Sequence, residues 1–389
     1  MKKLIRITTV PLSLEKLLEN QPRYFSQFYN IILISSDIKN LIKVGEKQKV
    51  PVHYIPFTRK INPFVDLMAI FKLYKFLIKE KPDIVHTHTP KAGFVGMVAA
   101  YLARVPVRMH TIAGLPLMEV KGLLRRILNF IEIGTYFCAT NLYSNSKGLL
   151  NFILDQKFCN SKKIKVLAKG SSNGIDLDFF NPKLISVNKK NKLIKDLGIK
   201  KTDFVYCFIG RLVSDKGINE LINSFKFVNK EYSNAKLLLV GNMEEDLDPL
   251  DKETIYEIKN NQNIFSVGFK NDIRLFLSIS HCFVFPSYRE GLPNVLLQAG
   301  AMSIPSITSD INGCNEIIRD KKNGLIIPSK NIKLLIKSML TIINNSNLRI
   351  NLSKNCRSMI IKNYKQEIVW KALKDEYELL SQCINHLKN

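Results

Sequence analysis

Nowhere in the 389 residues is there an apolar run of about eighteen residues free of charge, so nothing reads as a membrane-spanning helix. Internal repeats and low-complexity stretches are also missing, which excludes solenoid and collagen-like architectures. The seven cysteines (138, 159, 207, 282, 314, 356 and 383) show no Cys-x-x-Cys or other metal spacing, and most sit beside apolar residues. Buried free thiols in a reducing compartment follow, rather than a disulfide framework. Acidic side chains are scarce, 33 against 58 Lys and Arg, for a net charge of +25. That imbalance admits anionic partners: nucleic acid, an acidic membrane or phosphorylated substrates. Part of it is a compositional bias, because Lys, Asn and Ile are abundant throughout.

What is present is enough apolar residue, 46%, for two full cores, and the length suits two domains rather than one. The opening Met1-Lys-Lys-Leu-Ile-Arg-Ile-Thr-Thr-Val-Pro11 has a signal-like charge, but Arg6 and Pro11 cut its apolar run short, and it reads as a buried first strand. The expected location is cytoplasmic, with a peripheral place on the inner face of the plasma membrane left open. Short β-branched runs at 4–8, 31–35, 52–55, 84–86, 107–110, 142–144 and 164–167 alternate with helical patterns at 13–27, 63–79, 92–103, 122–136 and 147–155. After a polar stretch at 182–202, read as an interdomain connection, strands recur at 203–210, 235–240, 264–267, 281–285, 306–308 and 325–327. The chain closes on a long amphipathic helix, 366–387, with the only tryptophan, Trp370. This alternation predicts βαβ units, hence α/β domains with parallel sheets and ligands at the carboxyl ends of the strands. The expected division is 1–183, 200–365 and a C-terminal helix, 366–389, that crosses back to the first domain.

The stretch around which the chain is organised is Pro286-Ser-Tyr-Arg-Glu-Gly-Leu-Pro-Asn-Val-Leu-Leu-Gln298. It follows a strand and opens a helix expected to begin at Pro293, whose missing N–H costs nothing there. The N–H groups of Gly291, Leu292 and Asn294 would point out of that helix end, where a phosphate is favoured. Glu290 beside them suits neutral sugar hydroxyls, and Gln298 lies within reach of the same ligand. Upstream, Gly210-Arg-Leu-Val-Ser-Asp-Lys-Gly217 offers a glycine for close backbone approach and two cations, Arg211 and Lys216, for a diphosphate. Gly268 and Phe269 follow another strand in the manner of a base-contacting loop, a shape shared by ordinary βα turns. In the first half, His110 ends a strand and reads equally as a substrate-polarising group or a core histidine. His86 and His88 are expected to face opposite sides of their strand and, with no third ligand nearby, to hold no metal. The segment 115–131, with Lys121, Arg125 and Arg126 among long apolar residues, reads as a surface helix or as an interfacial helix touching anionic lipid.

Taken together, Gly210-Arg-Leu, Lys216-Gly217, Val267-Gly-Phe269, the Pro286–298 stretch and Asn173-Gly-Ile-Asp176 make the chain resemble the GT-B glycosyltransferases, specifically the retaining glycosyltransferase family 4, over essentially its whole length. The resemblance implies two Rossmann-like domains with a deep cleft between them. It also implies that Arg211 and Lys216 hold the donor diphosphate, that Glu290, Gly291 and Leu292 contact donor sugar and phosphate, and that His110 stands near the reacting sugar. Two departures stand out: Gln298 occupies the place of a second glutamate that binds ribose, and Thr8-Thr-Val-Pro11 replaces a glycine pair after the first strand. The implied reaction moves a hexosyl or N-acetylhexosaminyl unit from a nucleotide diphosphate sugar, UDP first, to a lipid-linked or saccharide acceptor of the kind used for capsule or O-antigen. No metal-binding acidic cluster of the Asp-x-Asp kind presents itself, so no metal or other cofactor is expected. The competing readings are a nucleotide-sugar epimerase of the same fold, a basic nucleic-acid-binding protein, for which no reader motif is present, and an inactive relative.

Overall fold

The computed structural model describes residues 1–58, 62–244 and 248–388. The chain divides into two compact units, one formed by Met1–Gly174 with Glu367–Asn389, the other by Ile175–Gln366.

In the first unit, seven parallel strands form one sheet: β1 (Lys3–Ile7), β2 (Asn30–Ser35), β3 (Val52–Tyr54), β4 (Ile84–His88), β5 (Val107–Ile112), β6 (Asn141–Ser144) and β7 (Ile164–Lys165). Their order is β3-β2-β1-β4-β5-β6-β7. The signal-like start is thus a central strand, with Leu4, Ile5, Arg6 and Ile7 all buried. Such strands are covered on both faces, which is why they read as near-continuous apolar runs. The expected single helix at 13–27 is two, Pro11–Leu17 and Gln21–Phe25. Pro22 has no N–H to give and its ring would clash with the carbonyl four residues back, so the first helix stops short of it. A helix that periodicity missed, Ile38–Gln48, starts where the Asp37 side chain accepts from the Asn40 N–H at 3.3 Å.

The C-terminal helix, Gln366–Lys388, is part of this first unit from Glu367 onward. Tyr377 and Leu373 sit in the core with Leu4, Ile31, Leu33 and Ile84. Tyr377 Oη lies 2.6 Å from His86 Nδ1, and Tyr143 donates to Glu376 at 2.7 Å. Trp370 donates to Asn173 Oδ1 at 2.7 Å.

The second unit carries a six-stranded parallel sheet: β8 (Phe204–Ile209), β9 (Ala235–Val240), β10 (Ile264–Ser266), β11 (Cys282–Phe285), β12 (Ser306–Ser309) and β13 (Gly324–Ile327), in the order β10-β9-β8-β11-β12-β13. The stretch 182–202 is not a free connection. It holds a helix, Val187–Asp196, and its Ile185, Leu193, Ile194 and Leu197 pack on this unit's core. The unit begins at Ile175, earlier than the sequence boundary at 183. The reason is that Ile175 N–H bonds to the Tyr364 carbonyl at 2.8 Å, while Arg357 donates to the carbonyls of Leu177 (2.9 Å) and Phe180 (2.5 Å). Six cysteines are free thiols, five of them buried and Cys159 half-buried. The side chain of Cys383 lies outside the described residues.

Candidate active site

In the second sheet the chain runs outward from β8 through β9 to β10, then returns to the other side and runs outward from β11 through β12 to β13. The β8/β11 boundary is therefore the switch point at whose carboxyl end an open parallel sheet forms its crevice. Two loops meet there because Gly217 lets them. A Cβ on Gly217 would stand 2.1 Å from the Pro286 carbonyl oxygen, and its φ of +71° is in the left-handed region. A third loop joins at Gly313, where a Cβ would meet the Gly291 oxygen at 2.2 Å.

Across the switch point Lys216 Nζ pairs with Glu290 Oε1 at 2.5 Å, with both side chains largely buried. Ser287 donates to the same Glu290 oxygen at 2.9 Å. Glu290 is thus held by two donors that converge on one carboxylate oxygen. Beneath lies Cys314, whose thiol is pushed well up first by burial and then by the Glu290 charge. It is too weakly acidic to act as a nucleophile.

Gly210 and Gly268 end or follow β8 and β10 with positive φ, as does Gly241 after β9, so three adjacent strand ends present bare backbone. A Cβ on Gly241 would meet the Gly210 oxygen at 1.8 Å. The N–H of Phe269 bonds to Asn242 Oδ1 at 2.9 Å, and the Phe269 side chain is 52% exposed. Arg211 pairs with Glu244 at 3.0 Å and remains about half exposed, so the two expected cations engage different carboxylates. The helix after β11 is Asn294–Ala301. Pro293 is its cap rather than its first residue, because its ψ of 110° is extended. Leu296, Leu297, Ala299 and Gly300 are buried while Asn294 and Gln298 are half-buried, so both polar residues sit off the core face.

Sequence reading missed the brace around this site. Asp215 ties to Arg289 at 2.6 Å, its own N–H bonds to Asp248 at 2.6 Å, and Tyr288 donates to Glu220 at 2.6 Å. The available signal was adjacency: Asp215 directly precedes Lys216, and Ser287 lies three residues before Glu290. Asp-x-Asp spacing does occur, at Asp176 and Asp178. There Asp176 Oδ1 accepts from the N–H groups of Asp178 (3.0 Å) and Phe179 (2.8 Å), the work of a turn. A second instance, Asp246 and Asp248, begins outside the described residues. Among the described residues no group of three or more His, Cys, Asp or Glu is arranged to hold a metal.

In the first unit, His110 is 2% exposed. Its Nδ1 lies 2.8 Å from Thr87 Oγ1, its ring lies against Tyr136, and a Cβ on Gly93 would stand 2.4 Å from its Cε1. Burial lowers its pKa to about 4. His86 and His88 share one face, contrary to the expectation, with ring centroids 4.1 Å apart, as the two-residue period of a strand requires. His88 Nε2 accepts from Arg6 Nε (3.2 Å) and faces its Nη2 at 2.8 Å. His86 Nε2 lies 2.7 Å from Thr111 Oγ1. Both rings are held neutral, well below the usual imidazole range, chiefly by burial.

Two Rossmann-like units, each built on an open parallel sheet, are the make-up of the GT-B fold. Residues 189–359 match the family described as glycosyl transferases group 1, and residues 44–170 match the glycosyl transferase 4-like domain. The capsular polysaccharide biosynthesis glycosyltransferase CapM of Staphylococcus aureus is 34% identical over 351 residues, covering 90% of this chain and 89% of that protein. The UDP-Gal:alpha-D-GlcNAc-diphosphoundecaprenol alpha-1,3-galactosyltransferase of Escherichia coli is 31% identical over 323 residues, 81% of this chain and 80% of that one. Among solved structures, Anabaena HepE in complex with UDP-glucose superposes with a TM-score of 0.79 at 17% identity, covering 97% of this chain and 100% of that one. The chain belongs to glycosyltransferase family 4 and is a glycosyltransferase of GT-B fold.

Proposed function

We propose that this enzyme transfers a hexosyl or N-acetylhexosaminyl unit from a UDP-sugar to a lipid-linked saccharide acceptor, for surface polysaccharide, at the inner face of the plasma membrane. The observation that carries the donor reading is the Lys216–Glu290 pair at 2.5 Å across the β8/β11 switch point. A cation already held beside the crevice stabilises the charge that grows on a departing diphosphate without reorganising at the moment of reaction. Arg211 supplies a second, more exposed cation, and the N–H groups of Gly291, Leu292 and Asn294 add the helix-end field. Glu290 takes hydroxyls of the donor sugar, Gly210 lets backbone close on the diphosphate, Gly268 and Phe269 meet the base, and Gln298 meets the ribose. The acceptor partner follows from the relatives whose names specify diphosphoundecaprenol-linked sugars.

In this reaction the anomeric C–O bond breaks with its electron pair passing to the diphosphate. The acceptor oxygen attacks from the same face, and its proton goes to a phosphate oxygen, so configuration is retained. The positive side chains do the work that a divalent cation does elsewhere, so transfer is expected to persist in EDTA. His110 is kept as the first unit's candidate beside the reacting sugar, a neutral imidazole because burial lowers its pKa to about 4.

The test is calorimetric titration with UDP and UDP-sugars in EDTA, on the wild type and on Lys216→Ala. Saturable binding weakened by about tenfold or more in a variant that still melts cooperatively, at a temperature lowered by the loss of the Glu290 partner, is the expected result. Equal binding by the variant removes Lys216 from the site, and no binding of any nucleotide sugar removes the donor reading.

A further inference from the structure

Three consecutive helices of the first unit, Pro63–Glu80, Pro90–Leu102 and Gly122–Cys138, leave apolar side chains uncovered. On the first, Phe64, Leu67 and Phe71 are 86%, 66% and 54% exposed, at spacings that put them on one face. On the third, Phe130 and Phe137 are 76% and 68% exposed. The middle helix joins the two sides. Leu102 closes an open apolar groove of about 310 Å³ with Leu67, Ile70, Phe71 and Tyr74, and the Tyr101 ring meets that of Phe137 at 5.9 Å. A continuous apolar face with phenylalanines this exposed marks a surface that is covered in use.

Charge identifies the cover. The three helices contain only three acidic residues, and each is withdrawn. Asp66 pairs with Lys91 at 2.5 Å, Glu80 pairs with Lys3 at 2.7 Å, and Glu132 is buried. Four of their six cations are the opposite: Lys72, Lys75, Lys79 and Arg126 are exposed. Lys75 Nζ stands 4.3 Å over the Phe71 ring, so cation and aromatic belong to the same patch. A second copy of the chain would bring these cations against their like, which disfavours a self-complementary contact.

We propose that this face docks the first unit on an anionic lipid bilayer. The phenylalanines and leucines enter the boundary between headgroups and acyl chains, and the lysines and Arg126 meet the lipid phosphates. The inference rests on the reading of a lipid-linked acceptor and names the surface that brings the enzyme to it.

The experiment is flotation of the full chain with phosphatidylglycerol-containing vesicles and with pure phosphatidylcholine vesicles, alongside UDP titration. Two variants are compared with the wild type, the apolar Phe64→Ser/Phe130→Ser and the charge-reversed Lys72→Glu/Arg126→Glu. Wild type should float with the anionic vesicles and not with the neutral ones, and each variant should lose about tenfold in partitioning while binding UDP as before. Partitioning unchanged in both variants, no preference for anionic lipid, or a solution dimer abolished by Phe64→Ser/Phe130→Ser would overturn the proposal. Vesicle binding without UDP binding would leave this surface standing and remove the donor reading. UDP binding without vesicle binding would do the reverse.

Discussion

At the residue scale, Glu290 draws its position from two neighbours, the Lys216 ammonium and the Ser287 hydroxyl, both on the same carboxylate oxygen. A motif reading singles out Glu290, but not the Lys216 pairing that offsets its charge, which is what the proposed place beside a sugar and a phosphate requires. Gln298 presents a contrasting case. It sits off the core face of its helix, and in the proposed role a carboxylate in its place would meet ribose hydroxyls with charge-assisted bonds instead of amide ones. Gln298→Glu is therefore expected to tighten UDP binding by about fivefold with little change in stability. Isothermal titration checks it, and equal or weaker affinity would mean that position 298 does not touch the ribose.

At the element scale, glycine does for the loops what the ion pair does for the side chains. Gly217 has φ of +71° and no room for a methyl group beside the Pro286 carbonyl, so Gly217→Ala forces the loops after β8 and β11 apart. The expected cost is about 2 kcal/mol in denaturant unfolding, with transfer reduced more than stability, because Lys216 is the next residue. A variant with wild-type stability and rate would show that the close approach is dispensable. These loops also mark where sequence legibility ended. All thirteen strands lay at or near the β-branched runs that suggested them, because buried parallel strands need apolar side chains on both faces. The Gly217–Pro286 and Gly313–Gly291 approaches link segments far apart in the chain, and no local pattern encodes them. Likewise the sequence separates Asp215 from Arg289 by more than seventy positions, yet they pair at 2.6 Å. The polar stretch at 182–202 misled for the converse reason: its charged face was visible, and the apolar stripe of Leu193, Ile194 and Leu197 that packs inward was sparse. His110 was legible as a strand-end histidine, but its enclosure depends on Gly93 and Tyr136 from two other elements.

At the scale of the whole molecule, the first unit buries an unusual group of titratable side chains, and their balance sets its response to acid. Arg6 is fully buried with a neutral imidazole, His88, as its partner, so protonating that ring would set two cations together. For His86, His88 and His110 the folded values lie below the ordinary 6.5 of the unfolded chain, His110 at about 4. The unfolded state then binds protons first as pH falls. The stability these rings contribute is complete above about pH 6.5 and is lost on descent toward pH 4. Glu132 opposes them, since burial raises its carboxyl from 4.5 to about 7, and the folded state binds that proton first. Over these windows His110 and Glu132 each shift the folding free energy by about 3 kcal/mol with opposite sign, so they nearly cancel. The other histidines held below the ordinary value, His86 and His88 foremost and the less buried His53 and His281 with them, decide the outcome. The melting temperature should fall between about pH 7.5 and about pH 5, and the fall should steepen in Glu132→Gln, which removes the opposing group. That variant should in turn be more stable than wild type at about pH 8, where the wild type must carry a buried carboxylate. Scanning calorimetry of both proteins across this range decides it. A melting temperature that rises on acidification would mean that the three rings are not held neutral by the fold.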